Sequence, residues 1–575
     1  MDLRKHLRNA ASQPGGMRVL ALVLLASSLA FAGPQKLGAG LEAVGGDQMV
    51  DVIVQYASAP TEAHHARLAA VGGQHKADFE SVNGSAARVP ARALRMLAND
   101  PEVVHISVDH AVKGMLDLTT SAVNAPVAWM FGLSGDDIGI AVIDSGITKH
   151  ADLGNAVVYN QSFVDNSTDD LYGHGTHVAG ILASAGTDSK GWSYFRTFKG
   201  LASGANLVNL KALDQTGAGT DSSVIAAINR AIQLKNQYNI RVMNLSLGRP
   251  VFESYAMDPL CQAVEAAWRA GIVVVVAAGN EGRNNTANTN GYGTITAPGN
   301  DPYVITVGAM KTMGTPQRGD DLIASYSSKG PTLFDHIIKP DLVAPGNRVV
   351  SLRSSDGALP VQYPQNDVQY SYYSWNGNGI SPNYYTLSGT SMATPVVAGA
   401  AALLLEKDPS LTPDQIKARL MKTASKNFPA SSVTVDPTTG IAYTSQYDIF
   451  TVGAGYLDIA AALMNNDKIQ VAALSPAAIY DSGTNAVTLV YGNAVTWGSA
   501  VTWGSAVTWG SAVTWGSAVI WGSTVFQTAP SLVNGTAVIW GSNSISNLAV
   551  IWGSAVIWGS STPSSETSII QIVGE

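Results

Sequence analysis

Cysteine is nearly absent: there is one, Cys261, in a chain of 575 residues. No intrachain disulfide can form, and no cysteine-rich zinc site can be built. Charge is also scarce. Asp, Glu, Lys and Arg make up 13% of the chain, against roughly 25% in an ordinary soluble domain. The shortage is concentrated in residues 482–565, which contain no Asp, Glu, Lys, Arg or His. With a net charge of −8 there is no basic surface of the kind a nucleic-acid binder needs. Beyond the N-terminus, no segment is long and apolar enough to predict a membrane-spanning helix. What the chain does have is apolar material, 46% of its residues, which is ample for a core. The length predicts about three domains.

The first residues read as an export signal. Arg4, Lys5, Arg8 and Arg18 precede an apolar run over 19–31, and Ala30-Phe31-Ala32 fits a cleavage site. The expectation is a signal peptide over 1–32 on a secreted, extracellular protein, with Met17 as an alternative start and an uncleaved anchor as the competing reading. Stability outside the cell would then come from packing or bound ions. Residues 49–115 predict a small unit of order β-α-β-α-β. Its strands fall at 49–57, 79–89 and 103–108 and its helices at 62–70 and 90–98, with Asn83-Gly84 as a turn and Pro90 opening the second helix.

From about 120 to 465, apolar strands alternate with helical stretches. Residues 138–143, 207–213, 241–247 and the unbroken apolar run 272–278 read as strands, and 222–237 as a helix. The predicted fold class is α/β, an open, mostly parallel sheet with helices on both faces. Functional groups should gather at the carboxyl ends of its strands. Cys261 falls in an amphipathic helical pattern and is predicted to be buried.

Three segments carry chemistry. Asp144-Ser145-Gly146 follows the first strand, Gly173-His174-Gly175-Thr176-His177 opens a helix, and Gly389-Thr390-Ser391-Met392-Ala393 opens another. A serine hydroxyl is a weak nucleophile that needs a base. Histidine can take its proton and pass it on, and a carboxylate orients the imidazole. A serine at a helix N-terminus also sets its own N–H beside a developing oxyanion. His174 and His177 are spaced i, i+3, but no glutamate stands between them as in a zinc H-E-x-x-H motif.

These segments, in this order, resemble the subtilisin family (subtilases) of serine endopeptidases, over about 119–465. The resemblance implies a fold of that type, protein or peptide substrates, and Asp144, His174 and Ser391 as the catalytic triad. Ala277-Ala278-Gly279-Asn280 resembles the family's oxyanion segment, implying Asn280 beside the Ser391 N–H. Gly217-Ala218-Gly219 and Ser246-Leu247-Gly248 resemble the segments that flank an extended substrate, and Thr296 falls near the floor of the main specificity pocket. Lys339-Pro340-Asp341 through Gly346 resembles a segment that precedes the nucleophile. Residues 33–118 resemble the family's propeptide, an intramolecular inhibitor and folding aid, with its cut between 110 and 120. The family's chemistry uses no cofactor, but structural calcium is common. Asp152 matches a ligand position, although 184–199 departs from the loop that completes that site. Asp165, Asp169 and Asp170 read as solvated loop acids rather than as a second site.

After 465 the resemblance ends, and 466–575 is expected to be a separate tail. The hexad A-V-[TI]-W-G-S occurs eight times between Ala494 and Ser560 and holds eight of the twelve tryptophans. Its alternation predicts stacked β structure. Contact with a cell surface or a polysaccharide and a purely structural repeat are both open readings. RTX-type calcium repeats are excluded, since the hexads contain no Asp.

Overall fold

The computed structural model describes residues 46–79, 83–108, 118–286, 288–436 and 439–481, together with 36–37, 41, 486–490, 574–575 and four short stretches of the hexads. The expected export signal and cleavage segment lie outside the described residues. Contacts divide the chain into two units, 1–113 and 114–575.

In the first unit, strand β1 (Met49–Tyr56) buries Val52, Val54 and Tyr56 on one face, as an alternating strand should. Helix α1 (Glu62–Ala70) follows, then β2 (Gln74–Phe79), β3 (Gly84–Pro90), α2 (Leu94–Ala98) and β4 (Val103–Val108). The sheet is antiparallel, in the order β2-β3-β1-β4. The strand expected over 79–89 is broken: Asn83 takes a left-handed φ of 48°, and β2 is an additional strand. Every residue of β2 is exposed, so no apolar alternation betrays it. Pro90 ends β3 and caps a short 3-10 turn, so the helix begins later than expected, at Leu94.

The second unit is built on an eight-stranded sheet. Its strands are β5 (Gly139–Asp144), β6 (Val157–Ser162), β7 (Asn206–Lys211), β8 (Ile240–Leu245), β9 (Val273–Ala277), β10 (Ile305–Lys311), β11 (Leu322–Ile323) and β12 (Leu342–Pro345). The order is β11-β10-β9-β8-β5-β7-β6, with β12 also on β10. All neighbours are parallel except β10 and β11. The α/β class and mostly parallel sheet match the expectation. β9 is buried throughout and lies between β8 and β10, which explains its unbroken apolar sequence. Strand order turns back at β5, whose neighbours are β7 and β8. Such a switch point opens a crevice at the strand's carboxyl end, and Asp144 is the last residue of β5.

Helices α3 (His174–Ala183), α4 (Asp221–Leu234), α5 (Pro259–Arg269), α6 (Thr390–Lys407) and α7 (Pro413–Thr423) pack on the sheet. Thr220 and Ser223 form a capping box on α4, and Thr412 and Gln415 form one on α7. α6 is buried for nearly its whole length, in keeping with its lack of a polar face. Cys261 lies on α5 with no exposure, and its Sγ donates to Asn300 Oδ1 at 3.3 Å. The packed unit runs past the expected boundary at 465, because Ile469, Ala473 and Ala478 belong to its core. In the hexads, the described pairings are antiparallel: Val501–Trp503 with Val507–Trp509, and Val495–Thr496 with Thr514–Trp515. The remaining hexads, where stacking was expected, lie outside the described residues. Among the described residues, no helix is long and apolar enough to cross a membrane.

Candidate active site

The end of β5 delivers Asp144 into the crevice, where it is buried. His174 Nδ1 donates to Asp144 Oδ1 at 2.7 Å, and the Ser145 N–H donates to the same oxygen at 2.7 Å. Burial alone would lower the His174 pKa, but the Asp144 charge and hydrogen bond, helped by Asp170, raise it above the ordinary value of 6.5. α3 can sit this close to the β5 turn only because residue 175 is glycine. An added Cβ would collide with the Gly146 carbonyl and come within 3.2 Å of Asp144 Oδ1.

Asp170, read from sequence as a solvated acid, is wholly buried. It accepts from Ser145 Oγ (2.8 Å), the Gly173 N–H (2.7 Å) and the Thr176 N–H (2.7 Å). Ser145 Oγ in turn accepts the Gly175 N–H at 3.0 Å. A charged acceptor at a helix start satisfies orphan donors and complements the helix dipole. Asp170 and Ser145 therefore tie the turn bearing Asp144 to the helix bearing His174. Sequence reasoning gave neither a role. Of its two companions, Asp165 pairs with Lys211 at 2.8 Å, and Asp169 is exposed.

His177, about one turn further along α3, is buried, with Nε2 between the carbonyls of Val349 and Tyr385 at 3.0 and 3.1 Å. Burial and the nearby His174 push its pKa down to about 3, so it stays neutral and donates.

Ser391 opens α6. Pro395, four residues on, has no N–H to return to the Ser391 carbonyl. That freed carbonyl accepts the Ser246 hydroxyl at 2.7 Å, and the Ser391 hydroxyl donates to the Ser246 carbonyl at 3.2 Å. The nucleophile segment is thus clamped to the strand end that carries Ser246. Asn280 lies alongside. Its Oδ1 accepts both the N–H (2.8 Å) and the hydroxyl (3.0 Å) of Thr390. Oδ1 must be the acceptor facing those donors, so the amide orientation is fixed and Nδ2 is left to donate elsewhere. Thr390 is a second residue whose positioning role the sequence did not disclose.

One cleft of about 700 Å³ is lined by His174, Ser391, Asn280, Gly217, Ala218, Gly219, Ser246, Leu247, Gly248 and Thr296. The expected residues, apart from Asp144 beneath and Asp152, therefore meet on a single surface. Thr296 packs between two glycines: a Cβ on Gly279 would lie 2.7 Å from its Cγ2, and one on Gly248 2.5 Å from its Oγ1.

Asp152 lies apart from the cleft lining. It is buried, and its oxygens accept from the Asp188 N–H (2.7 Å), Tyr384 OH (2.7 Å) and Ser184 Oγ (3.1 Å). Asp152, His150 and Asp188 are close enough to share an ion. However, His150 Nδ1 accepts the Asp152 N–H, and its Nε2 donates to the Asn383 carbonyl. Segment 184–199 closes over this point with aromatic packing. Phe198 meets Tyr384 at 4.5 Å between centroids, and Tyr194 stacks on Tyr373 at 5.6 Å.

Comparison with known proteins bears on the whole arrangement. Residues 135–447 match the subtilase family. "Serine protease AprX" of Bacillus subtilis (strain 168) is 38% identical over 362 residues, covering 61% of this chain and 76% of that protein. "Subtilisin E" of the same organism is 36% identical over 360 residues, covering 61% and 78%. "Alkaline protease" of Alkalihalobacillus alcalophilus is 34% identical over 352 residues, covering 60% and 75%. On a match of this extent, the chain belongs to the subtilase family and is a serine endopeptidase.

Proposed function

We propose that the protein is a secreted, self-processing endopeptidase that cuts peptide bonds through an acyl-enzyme, with Ser391 as nucleophile, His174 as base and Asp144 as its orienting carboxylate. The Asp144–His174 hydrogen bond in the same crevice as Ser391 carries this reading. Nδ1–H is committed to Asp144, which leaves Nε2 to accept the serine proton and return it to the leaving amine. The Ser391 N–H and Asn280 Nδ2 hold the oxyanion. A substrate chain runs between 217–219 and 246–248. Residues 33–118, with their folded part at about 49–115, are read as the inhibitor and folding aid, released by a cut within 110–120. Tail contact with a surface polymer has only the repeated tryptophans behind it. A fluorophosphonate should label the mature protein once, with the adduct on the peptide containing Ser391. An adduct elsewhere removes Ser391 as nucleophile.

The His174 charge sets the acid limb of activity. The base works only when neutral, and its pKa is raised. Activity should be full above that pKa and fall as pH drops through it. The midpoint of kcat/KM is expected above 6.5. A midpoint at or below 6.5 contradicts the influence assigned to Asp144.

Thr296 narrows the specificity pocket. Thr296→Gly should favour substrates with a large side chain before the scissile bond over alanine, by about tenfold or more in relative kcat/KM. An unchanged ratio places Thr296 outside that pocket.

The chemistry needs no cofactor, and we read the Asp152 position as unsuited to calcium, since three protein donors fill the shell a cation would use. Asp152→Asn should cost about 1–3 kcal/mol through donors left unpaired. The loss in thermal midpoint should be equal in chelator and in excess calcium. A loss that depends on calcium returns a metal to this carboxylate.

A further inference from the structure

On the second unit, outside the catalytic cleft, lies a pair of buried cations. Arg283 and Lys311 are 5% and 8% exposed. One carboxylate, Asp436, pairs with Arg283 at 2.6 Å. The second is Glu575, 4% exposed, whose Oε1 is 2.9 Å from Arg283 Nη2 and whose Oε2 is 2.7 Å from Lys311 Nζ. The Ser325 N–H donates to Oε1 at 3.0 Å, and the Ser325 hydroxyl donates there too. The two side-chain carboxylates match the two cations in number. Without Glu575, one buried positive charge would be left uncompensated.

The backbone of residue 575 is held as specifically as its side chain. Asn347 Oδ1 accepts its N–H at 3.0 Å, and Asn347 Nδ2 donates to its carbonyl at 3.1 Å. One amide reads both faces of one residue, as a neighbouring β-strand would. The preceding residue must be glycine. Gly574 has φ +83°, and a Cβ there would collide with Ser388 Oγ and lie 2.7 Å from Arg348 Cγ. The site therefore has three independent requirements: a carboxylate of glutamate length, an extended backbone pair, and glycine before it. Beside it runs a cleft of about 690 Å³ lined by Lys311, Asn347, Arg348 and Thr386.

We propose that Arg283, Lys311, Ser325 and Asn347 form a docking site for a Gly-Glu segment, filled in cis by Gly574-Glu575, which fastens the far end of the repeat segment to the catalytic unit. The near end is fastened already. Ser475 Oγ accepts from Lys417 at 2.8 Å, and the Ala478 N–H donates to the His336 carbonyl at 2.8 Å. The hexads thus leave and return to the same unit, so a single cut within them does not release them.

The test uses the full chain carrying Ser391→Ala, with a recognition sequence for an unrelated site-specific protease inserted after Gly535. After one cut, the C-terminal fragment is expected to co-elute with the catalytic unit on size exclusion. Glu575→Gln and Gly574→Val, each in that background, should lower the retained fraction about tenfold or more, the first by removing the charge that pairs with Arg283 and Lys311, the second by driving a side chain into Ser388 and Arg348 at a left-handed φ. Added Ile-Val-Gly-Glu peptide should displace the wild-type fragment. A fragment retained equally by all three proteins, or lost from all three, overturns the proposal. Glu575→Gln exchanges one oxygen for an NH2 group and leaves the core packing intact, so loss of the fragment there reads the docking and not the fold.

Discussion

Ser391→Ala is expected to lower kcat by a factor on the order of 10⁶, a size known from removal of the same group in a subtilisin. The substitution deletes one hydroxyl whose ground-state partner is the Ser246 carbonyl. The Ser246–Ser391 backbone clamp and the Thr390–Asn280 bonds do not involve it. The variant should therefore fold and keep its cleft, and substrate affinity should change little. The residual rate should come from the oxyanion donors and from binding. The same change should leave the precursor uncut between 110 and 120 while the wild type is processed. N-terminal sequencing and mass measurement read both products. A processed Ser391→Ala chain would place maturation with another protease, and a variant with a turnover near wild type would remove Ser391 from the chemistry.

Asp144→Asn should cost about 10⁴ in kcat, the magnitude found when a triad carboxylate is replaced by its amide. The geometry allows the amide oxygen to keep the place of Oδ1, accepting from the Ser145 N–H and from His174. What goes is the charge. Burial lowers the His174 pKa, and the Asp144 charge is the largest influence raising it. Removing that charge lets burial win, so the acid limb should move down as the maximal rate falls. Both shifts appear in one pH profile of the variant. A fall in kcat with an unmoved acid limb would mean that Asp144 acts through orientation alone.

Strand periodicity and turn chemistry made much of the second unit legible. The unbroken apolar run at 272–278 became the buried strand β9, and the stretch before Asp144 became the strand at the switch point. The segments that meet in one cleft were legible only together: a strand-end Asp, a glycine-flanked His and a helix-opening Ser are each ambiguous alone, and their Asp…His…Ser order is what sets them apart. The supports were not legible. Asp170 stands in a run of polar loop residues, and nothing local separates an acid that caps a catalytic helix from one in solvent. Ser145 and Thr390 stand inside the motifs, yet their hydrogen bonds reach Asp170 and Asn280, which are distant in sequence. β2 has no apolar face and so no period to read. The Gly-Glu site combines residues 283, 311, 325, 347 and 575, which only the fold brings together.

The sole thiol has a practical consequence. Cys261 is sealed on α5, and burial pushes its ionisation far up, so the native protein presents no reactive thiolate. A thiol reagent can modify only molecules in which α5 has opened from the sheet. With fast reclosing, the modification rate divided by that of an unstructured cysteine gives the opening equilibrium constant, and hence a local free energy. The wild-type chain thus carries its own stopwatch for breathing of the catalytic unit. Eight of the twelve indoles lie in the hexads and dominate any fluorescence record, but they contribute nothing to this signal.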